Sequence, residues 1–185
     1  MPTLLPFKDY DEHDVINLYA CTTTASKGTL VKPTVSPNAN PIDLSSDLLG
    51  AKYANTVNNP FNIVGRVEPV NLWSDVPTAM GMLLYDVKEE DENGQKLIFN
   101  PRKLAEVGAV LPVVHAAPIL TKGIVLVNNI DTANKTIAGG GNPNIGYAAY
   151  VGDNGRIGTD GVSSIGKFLS TLDSNGFCLV KLDFK

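Results

Sequence analysis

Apolar residues along this chain fall in short runs rich in Val, Ile, Leu and Tyr, and Gly, Pro, Asn and Thr interrupt them every few positions. That pattern predicts many short strands joined by turns, hence a mostly β barrel or sandwich. The first strand is expected over 15–20 and the second over 29–32, launched by Lys27-Gly28 and ended by Pro33 and Pro37. Dense β-branched runs follow at 109–114 and 117–127, with breaks expected at Pro112 and Pro118 because proline is confined to strand starts, edges and bulges. A closing strand is expected over 176–184.

A glycine beat runs through the apolar words Val64-Gly65-Arg66-Val67, Met80-Gly81-Met82-Leu83-Leu84, Ile145-Gly146-Tyr147-Ala148-Ala149 and Ile165-Gly166-Lys167-Phe168-Leu169. Three of them are followed by an Asn-Gly pair, at Asn93-Gly94, Asn154-Gly155 and Asn175-Gly176. Asn-Gly between apolar runs is a strong hairpin signal, since both residues tolerate positive φ. Glycine early in a strand suits a bulge or a sharp corner. Together they predict strand–turn–strand corners of one small closed barrel. One short helix interrupts the β pattern. Asn100 caps it, Pro101 takes the first helical position and Gly108 lies just past the end. Leu104 and Val107 share one face, and so short a helix must be held by packing.

Two stretches fall outside this pattern. Residues 1–14 read as an extended N-terminal arm, with Pro2, Pro6 and the acidic positions Asp9, Asp11, Glu12 and Asp14. Residues 34–60, framed by Pro33, Pro37, Pro41 and Pro60, read as a long irregular excursion that serves as a contact loop. A short serine-capped helix near Ser45 is one reading of its middle. The organisation expected is an arm at 1–14 and a single barrel-like domain at 15–185.

Composition narrows the function classes. Charged residues are 18% of the 185, below the usual ~25%, which suits a surface covered by partners. Net charge is −4 with no cluster of Lys or Arg, so the basic footprint of nucleic-acid binding is missing. A basic amphipathic segment and a long apolar run are also missing, so no membrane role is expected. The first residues lack the features of a signal peptide, and synthesis in a cytoplasm-like compartment is expected.

Chemistry-bearing residues are sparse and scattered. Cys21 and Cys178 lie in strand-like words and read as buried free thiols. His115 sits in an apolar run and reads as a hydrogen-bonded packing residue. No His/Cys spacing suggests zinc. The stretch from Asp153 to Asp160 lacks the terminal Glu and the ligand alternation of a calcium loop. Gly139-Gly140-Gly141 lacks the Lys-Ser/Thr of a phosphate loop. Glu89-Glu90-Asp91-Glu92 reads as a solvated hairpin tip rather than an acid/base pair. No cofactor, metal or catalytic residue is expected, and the chain reads as a non-enzymatic binding module.

The order of words in the C-terminal half resembles tailed-phage capsid decoration, or cement, proteins with a β-barrel core. The words are 106–113, Thr121-Lys122-Gly123-Ile124-Val125-Leu126-Val127, Ile145-Gly146-Tyr147-Ala148, Ile165-Gly166-Lys167-Phe168-Leu169 and 173–182, with 15–20 and 27–31 resembling the opening of the same barrel. The resemblance covers 15–33 and 61–185. It leaves 34–60 and 86–107 without a counterpart. It implies a structural virion protein on the capsid exterior, made in the host cytoplasm. Such a protein binds the major capsid protein, associates as a homotrimer or stays monomeric, and cements neighbouring subunits using an N-terminal arm. On that reading Leu4, Leu5 and Phe7 are the arm's contact residues, because a 14-residue arm offers them no local partners. The other reading folds them back on their own barrel. Trp73 and Tyr85 are candidate interface aromatics, with core packing the alternative for each. A head-fibre or surface adhesion module that binds glycans is the competing function.

Overall fold

The computed structural model describes residues 4–6, 13–34, 65–71, 79–113, 115–132, 141–161 and 164–184. The fold is mostly β, with a closed five-stranded barrel and, among the described residues, one short α-helix. The barrel consists of β2 (Val15–Cys21), β3 (Leu30–Pro33), β4 (Gly65–Pro69), β5 (Gly81–Leu83) and β8 (Ala116–Leu120), closed in the order β2-β4-β3-β5-β8. All its pairings are antiparallel except β2 with β4. A second sheet takes β1 (Leu4–Pro6), β9 (Lys122–Val127), β14 (Cys178–Asp183), β13 (Ser164–Phe168), β11 (Ala148–Val151), β12 (Ile157–Gly158) and β10 (Ile130–Asp131), in that order.

The period of two along each barrel strand explains how the layers pack. Cys21, Val31, Val67, Leu83, Ala117 and Ile119 come from all five strands and fill the barrel. Their neighbours Leu30, Met82 and Leu120 point the other way. These join Val125, Val127, Phe168, Val180 and Leu182 of the second sheet in the larger core. Strands β5 and β8 are thus apolar on both faces. This is why their sequences read as unbroken apolar runs rather than as alternation.

Three details differ from the sequence reading. The glycine beat does not mark corners of one barrel: Gly65 and Gly81 lie in barrel strands, whereas Gly166 lies in the second sheet and Gly146 in the turn leading to β11. What Gly81 and Gly166 share is close approach of a neighbouring strand. A Cβ on Gly81 would stand 2.5 Å from the Leu120 carbonyl oxygen, and one on Gly166 would collide with the carbonyl oxygen of Lys181.

The second difference is Pro118, which does not break its run but sits inside β8. Ile119 pairs with Ile16 and Ala117 with Tyr19, so Asn17 and Leu18 together face Pro118. This bulge in β2 removes the need for an N–H at Pro118. The carbonyl of Pro118 still accepts from Leu84 N–H at 3.0 Å. The strand change falls instead at Thr121, where the chain leaves the barrel and enters the second sheet as β9.

The third concerns the N-terminus, where the sequence left two readings open and Leu4 packs on its own chain. Leu4–Pro6 forms β1 along β9, with Leu4 opposite Val127, and Leu4 is 2% exposed in the larger core. Residues 35–60 of the excursion, with the helix reading at Ser45, lie outside the described residues, as does the rest of the arm before His13.

The helix, α1 (Pro101–Glu106), follows the sequence reading. The Asn100 side chain accepts from Lys103 N–H at 3.1 Å, and Gly108 has φ +58 just beyond the C-cap. It belongs to a small annex in which β6 (Asp86–Val87) and β7 (Ala109–Val110) pair in parallel and Leu97, Leu104, Ala109 and Leu111 pack together.

Candidate interaction surface

The annex sets up the most exposed apolar side chain described. A 3-10 turn at Leu97–Phe99 buries Leu97 and turns the next two residues outward, leaving Phe99 85% exposed. Phe99 directly precedes the capping Asn100, where an apolar residue often packs onto the fourth helical position as a staple. That position is Leu104, and its cluster is Leu97, Ala109 and Leu111, with Val107 beside them. The staple is not made, and Phe99 is left to solvent. Beside it a groove of about 170 Å³ is lined by Glu89, Lys96, Ile98, Leu111 and Pro112. Lys96 bonds Glu90 at 2.7 Å and Glu89 at 3.5 Å, and the Glu90 hydrogen bond raises its pKa. The groove is smaller than the clefts that enclose drug-sized ligands.

Past Pro112, Val113 adopts φ +65, a left-handed conformation that a β-branched residue rarely takes. Its N–H donates to the Cys21 carbonyl at 2.8 Å, which ties this loop to the end of β2.

A second apolar group stands at one end of the second sheet. Gly146 N–H donates to the Phe168 carbonyl at 2.9 Å and Phe168 N–H to the Tyr147 carbonyl at 2.8 Å. These bonds set Ile145 (68% exposed) and Tyr147 (56%) beside the end of β13, next to the exposed Leu169.

The residues expected from sequence are placed as follows. Leu4 serves the chain's own core, whereas Leu5 on the same strand is 43% exposed. Tyr85 is exposed in the bend between β5 and β6. Leu5 thus stands on the second sheet, whereas Tyr85 belongs to no strand. Phe7 and Trp73 lie outside the described residues. Sequence reasoning missed Ile98, Phe99, Ile145 and Tyr147. For Phe99 the sequence carried no such signal, since an aromatic immediately before a helix cap reads as a staple onto Leu104. For Tyr147 the signal was masked by the glycine beat, which reads as a strand start.

The polar groups in the interior hold the framework together. Asp131 is buried, and its Oδ2 accepts from Asp153 N–H at 3.1 Å. The Asn129 amide donates to the Gly28 and Gly155 carbonyls at 3.4 Å each, joining the barrel to the β11–β12 hairpin. His115 Nδ1 accepts from Leu111 N–H at 3.5 Å, closing the loop that carries Val113. Among the described residues no group of three or more His, Cys, Asp or Glu could hold a metal ion, and no helix is long and apolar enough to cross a membrane.

Burial lowers the pKa of His115 from its ordinary 6.5. The folded state therefore prefers the neutral ring, and the unfolded chain binds the extra proton first. This contribution to stability is full above about pH 6.5 and is lost as pH falls through the folded value. The expected result is a thermal midpoint that falls between about pH 7 and about pH 5, with a shallower fall in His115→Gln. Burial also raises the pKa of both free thiols, Cys21 in the barrel and Cys178 in the larger core. Ellman's reagent is expected to find neither thiol in the folded protein and both after denaturation.

No protein-family model, curated protein or solved structure matches this chain.

Proposed function

We propose that this protein is a non-enzymatic structural module of a virion, a cement protein that binds the outer surface of a capsid and ties neighbouring subunits together. The observation that carries the reading is the set of large apolar side chains left outside a well-packed β framework, above all Phe99, Ile145 and Tyr147. Such residues, held in two separate groups on a rigid scaffold, suit contact with other protein surfaces. The finer reading draws on the resemblance in the C-terminal half. Its words coincide with β9 and most of β14 and β13 and reach the first residue of β11, and these strands are consecutive neighbours in one sheet. The major capsid protein is the partner, and self-association as a homotrimer belongs to the same proposal.

Quantitative mass spectrometry of purified virus particles tests it. Near-stoichiometric copies relative to the major capsid protein support cementing. Absence from the particles overturns it, and a few dozen copies with a glycan-array signal favour the fibre or adhesion reading. At the residue level, Phe99→Asp is expected to weaken attachment to undecorated capsids about 30-fold, corresponding to about 2 kcal/mol. Its thermal midpoint should stay at the parent value, because Phe99 makes little use of the interior.

A further inference from the structure

Two turns of this chain share the five-residue pattern Asp-x-Asn-Gly-x. Asp91-Glu92-Asn93-Gly94-Gln95 closes a hairpin tip in the annex, and Asp173-Ser174-Asn175-Gly176-Phe177 joins β13 to β14. They carry the same bonds. In each, aspartate Oδ1 accepts from the asparagine N–H, at 2.8 Å for Asn93 and 2.9 Å for Asn175. It also accepts from the fifth residue's N–H, at 2.9 Å for Gln95 and 2.7 Å for Phe177. In each, the glycine N–H donates to the aspartate carbonyl at 3.1 Å, and the aspartate N–H donates to the fifth carbonyl, at 3.0 Å and 2.8 Å. The two glycines have φ +76 and +77. The bonds from Gln95 and Asn93 also hold the Asp91 carboxyl below the usual range.

The third Asn-Gly pair is built differently. Asn154 itself takes φ +55, and Gly155 is buried so closely against Thr29 and the backbone of Leu30 that a Cβ there would collide with the threonine methyl.

Asn-Gly is chemically labile because no Cβ on the glycine shields its nitrogen. The glycine nitrogen loses its proton and attacks Cγ of the asparagine. A C–N bond forms, the Cγ–Nδ2 bond breaks and ammonia leaves. Water then opens the cyclic imide at either carbonyl, giving aspartate or isoaspartate. The attack requires the glycine N–H to leave its acceptor and the peptide to rotate toward the side chain. In both repeated turns that N–H is held by the aspartate carbonyl, and the aspartate carboxylate pins the residues on either side of the glycine.

We propose that Asn93 and Asn175 are sites of spontaneous deamidation held shut by Asp91 and Asp173, whereas Asn154 is protected by packing of Gly155 against β3. Asp91 and Asp173 are positioning residues: they act on the reacting atoms only through the turn. A local opening of the turn is enough to expose Asn93 or Asn175. Reaction at Asn154 needs the hairpin to lift from the barrel.

The test is incubation of the intact folded protein at neutral pH and 37 °C, with conversion at each asparagine followed by peptide mapping and isoaspartate detection. Asn93 and Asn175 should convert ahead of Asn154. Asp91→Ala should speed conversion at Asn93 alone, and Asp173→Ala at Asn175 alone, each about tenfold, equivalent to about 1.4 kcal/mol. Asp91→Asn and Asp173→Asn keep the accepting Oδ1 and should restore the slow rate. Faster conversion at Asn154 than at the other two would overturn the proposal, as would an unchanged rate in Asp91→Ala. Asn variants as fast as the Ala variants would show that charge, not the bonded turn, does the protecting. A parallel rise at Asn154 in an Ala variant would mean that the whole fold opens, and the turn-specific reading would fail.

Discussion

Gly166→Ala is expected to cost about 3 kcal/mol or more, at or beyond the upper end of what overpacking usually costs. Gly166 lies on β13 opposite Leu182 of β14, and both strands are interior to the second sheet. A methyl group there would collide with the Lys181 carbonyl oxygen and stand 3.1 Å from the Leu182 Cα. These are backbone atoms of a laddered strand and cannot rotate away as a side-chain tip could. The fair comparison is Gly176→Ala, where nothing lies within 4 Å of the added carbon and only the positive φ is strained. That variant should lose only about 1–2 kcal/mol. Urea midpoints of the two variants against the parent decide the matter. Equal, small losses would mean that β13 and β14 are spaced more widely than described.

Phe168→Ala is expected to lose about 3–5 kcal/mol, the range for removing a fully buried ring. Among the described residues Phe168 is the largest side chain that is entirely shielded from solvent, and it sits in the core between the barrel and the second sheet. Against a total stability of about 5–15 kcal/mol, the variant is close to unfolding. Its thermal midpoint should fall by about 10 °C, given a few degrees per kcal/mol for a chain of this size. The next residue, Leu169, points outward and is exposed. Leu169→Ala should change the midpoint far less. A similar drop in both would contradict the inward and outward alternation at the end of β13.

Local chemistry was the legible part of the sequence. Each Asn-Gly pair lies in a turn, and each turn's glycine has positive φ. The helix between Asn100 and Gly108 was readable because cap, proline and glycine act over a few residues. The partition of strands between barrel and sheet was not readable. β8 and β9 read as one apolar run because β8 is buried on both faces, so nothing in its pattern marks the crossing at Thr121. Pro118 was misread because the bulge that accommodates it lies in β2, a hundred residues earlier. The fate of Leu4 depends on β9, also far away in sequence. The candidate surface was less legible still. Phe99 is exposed because Leu104 is already satisfied by Leu97, Ala109 and Leu111, which is a fact of packing and not of spacing.

The placement of β1 and β14 on either side of β9 determines how the molecule bears a mechanical load. Both run antiparallel to β9. The N-terminal end of β1 lies at Val127, and the C-terminal end of β14 lies at Lys122. Tension through the two chain ends therefore pulls β1 and β14 in opposite directions along β9. The hydrogen bonds of each ladder are loaded together in shear instead of being unzipped one at a time. With three registered pairs against six, β1 is the weaker fastening. It yields first, like a fuse, and leaves the β9–β14 ladder and the barrel behind it intact.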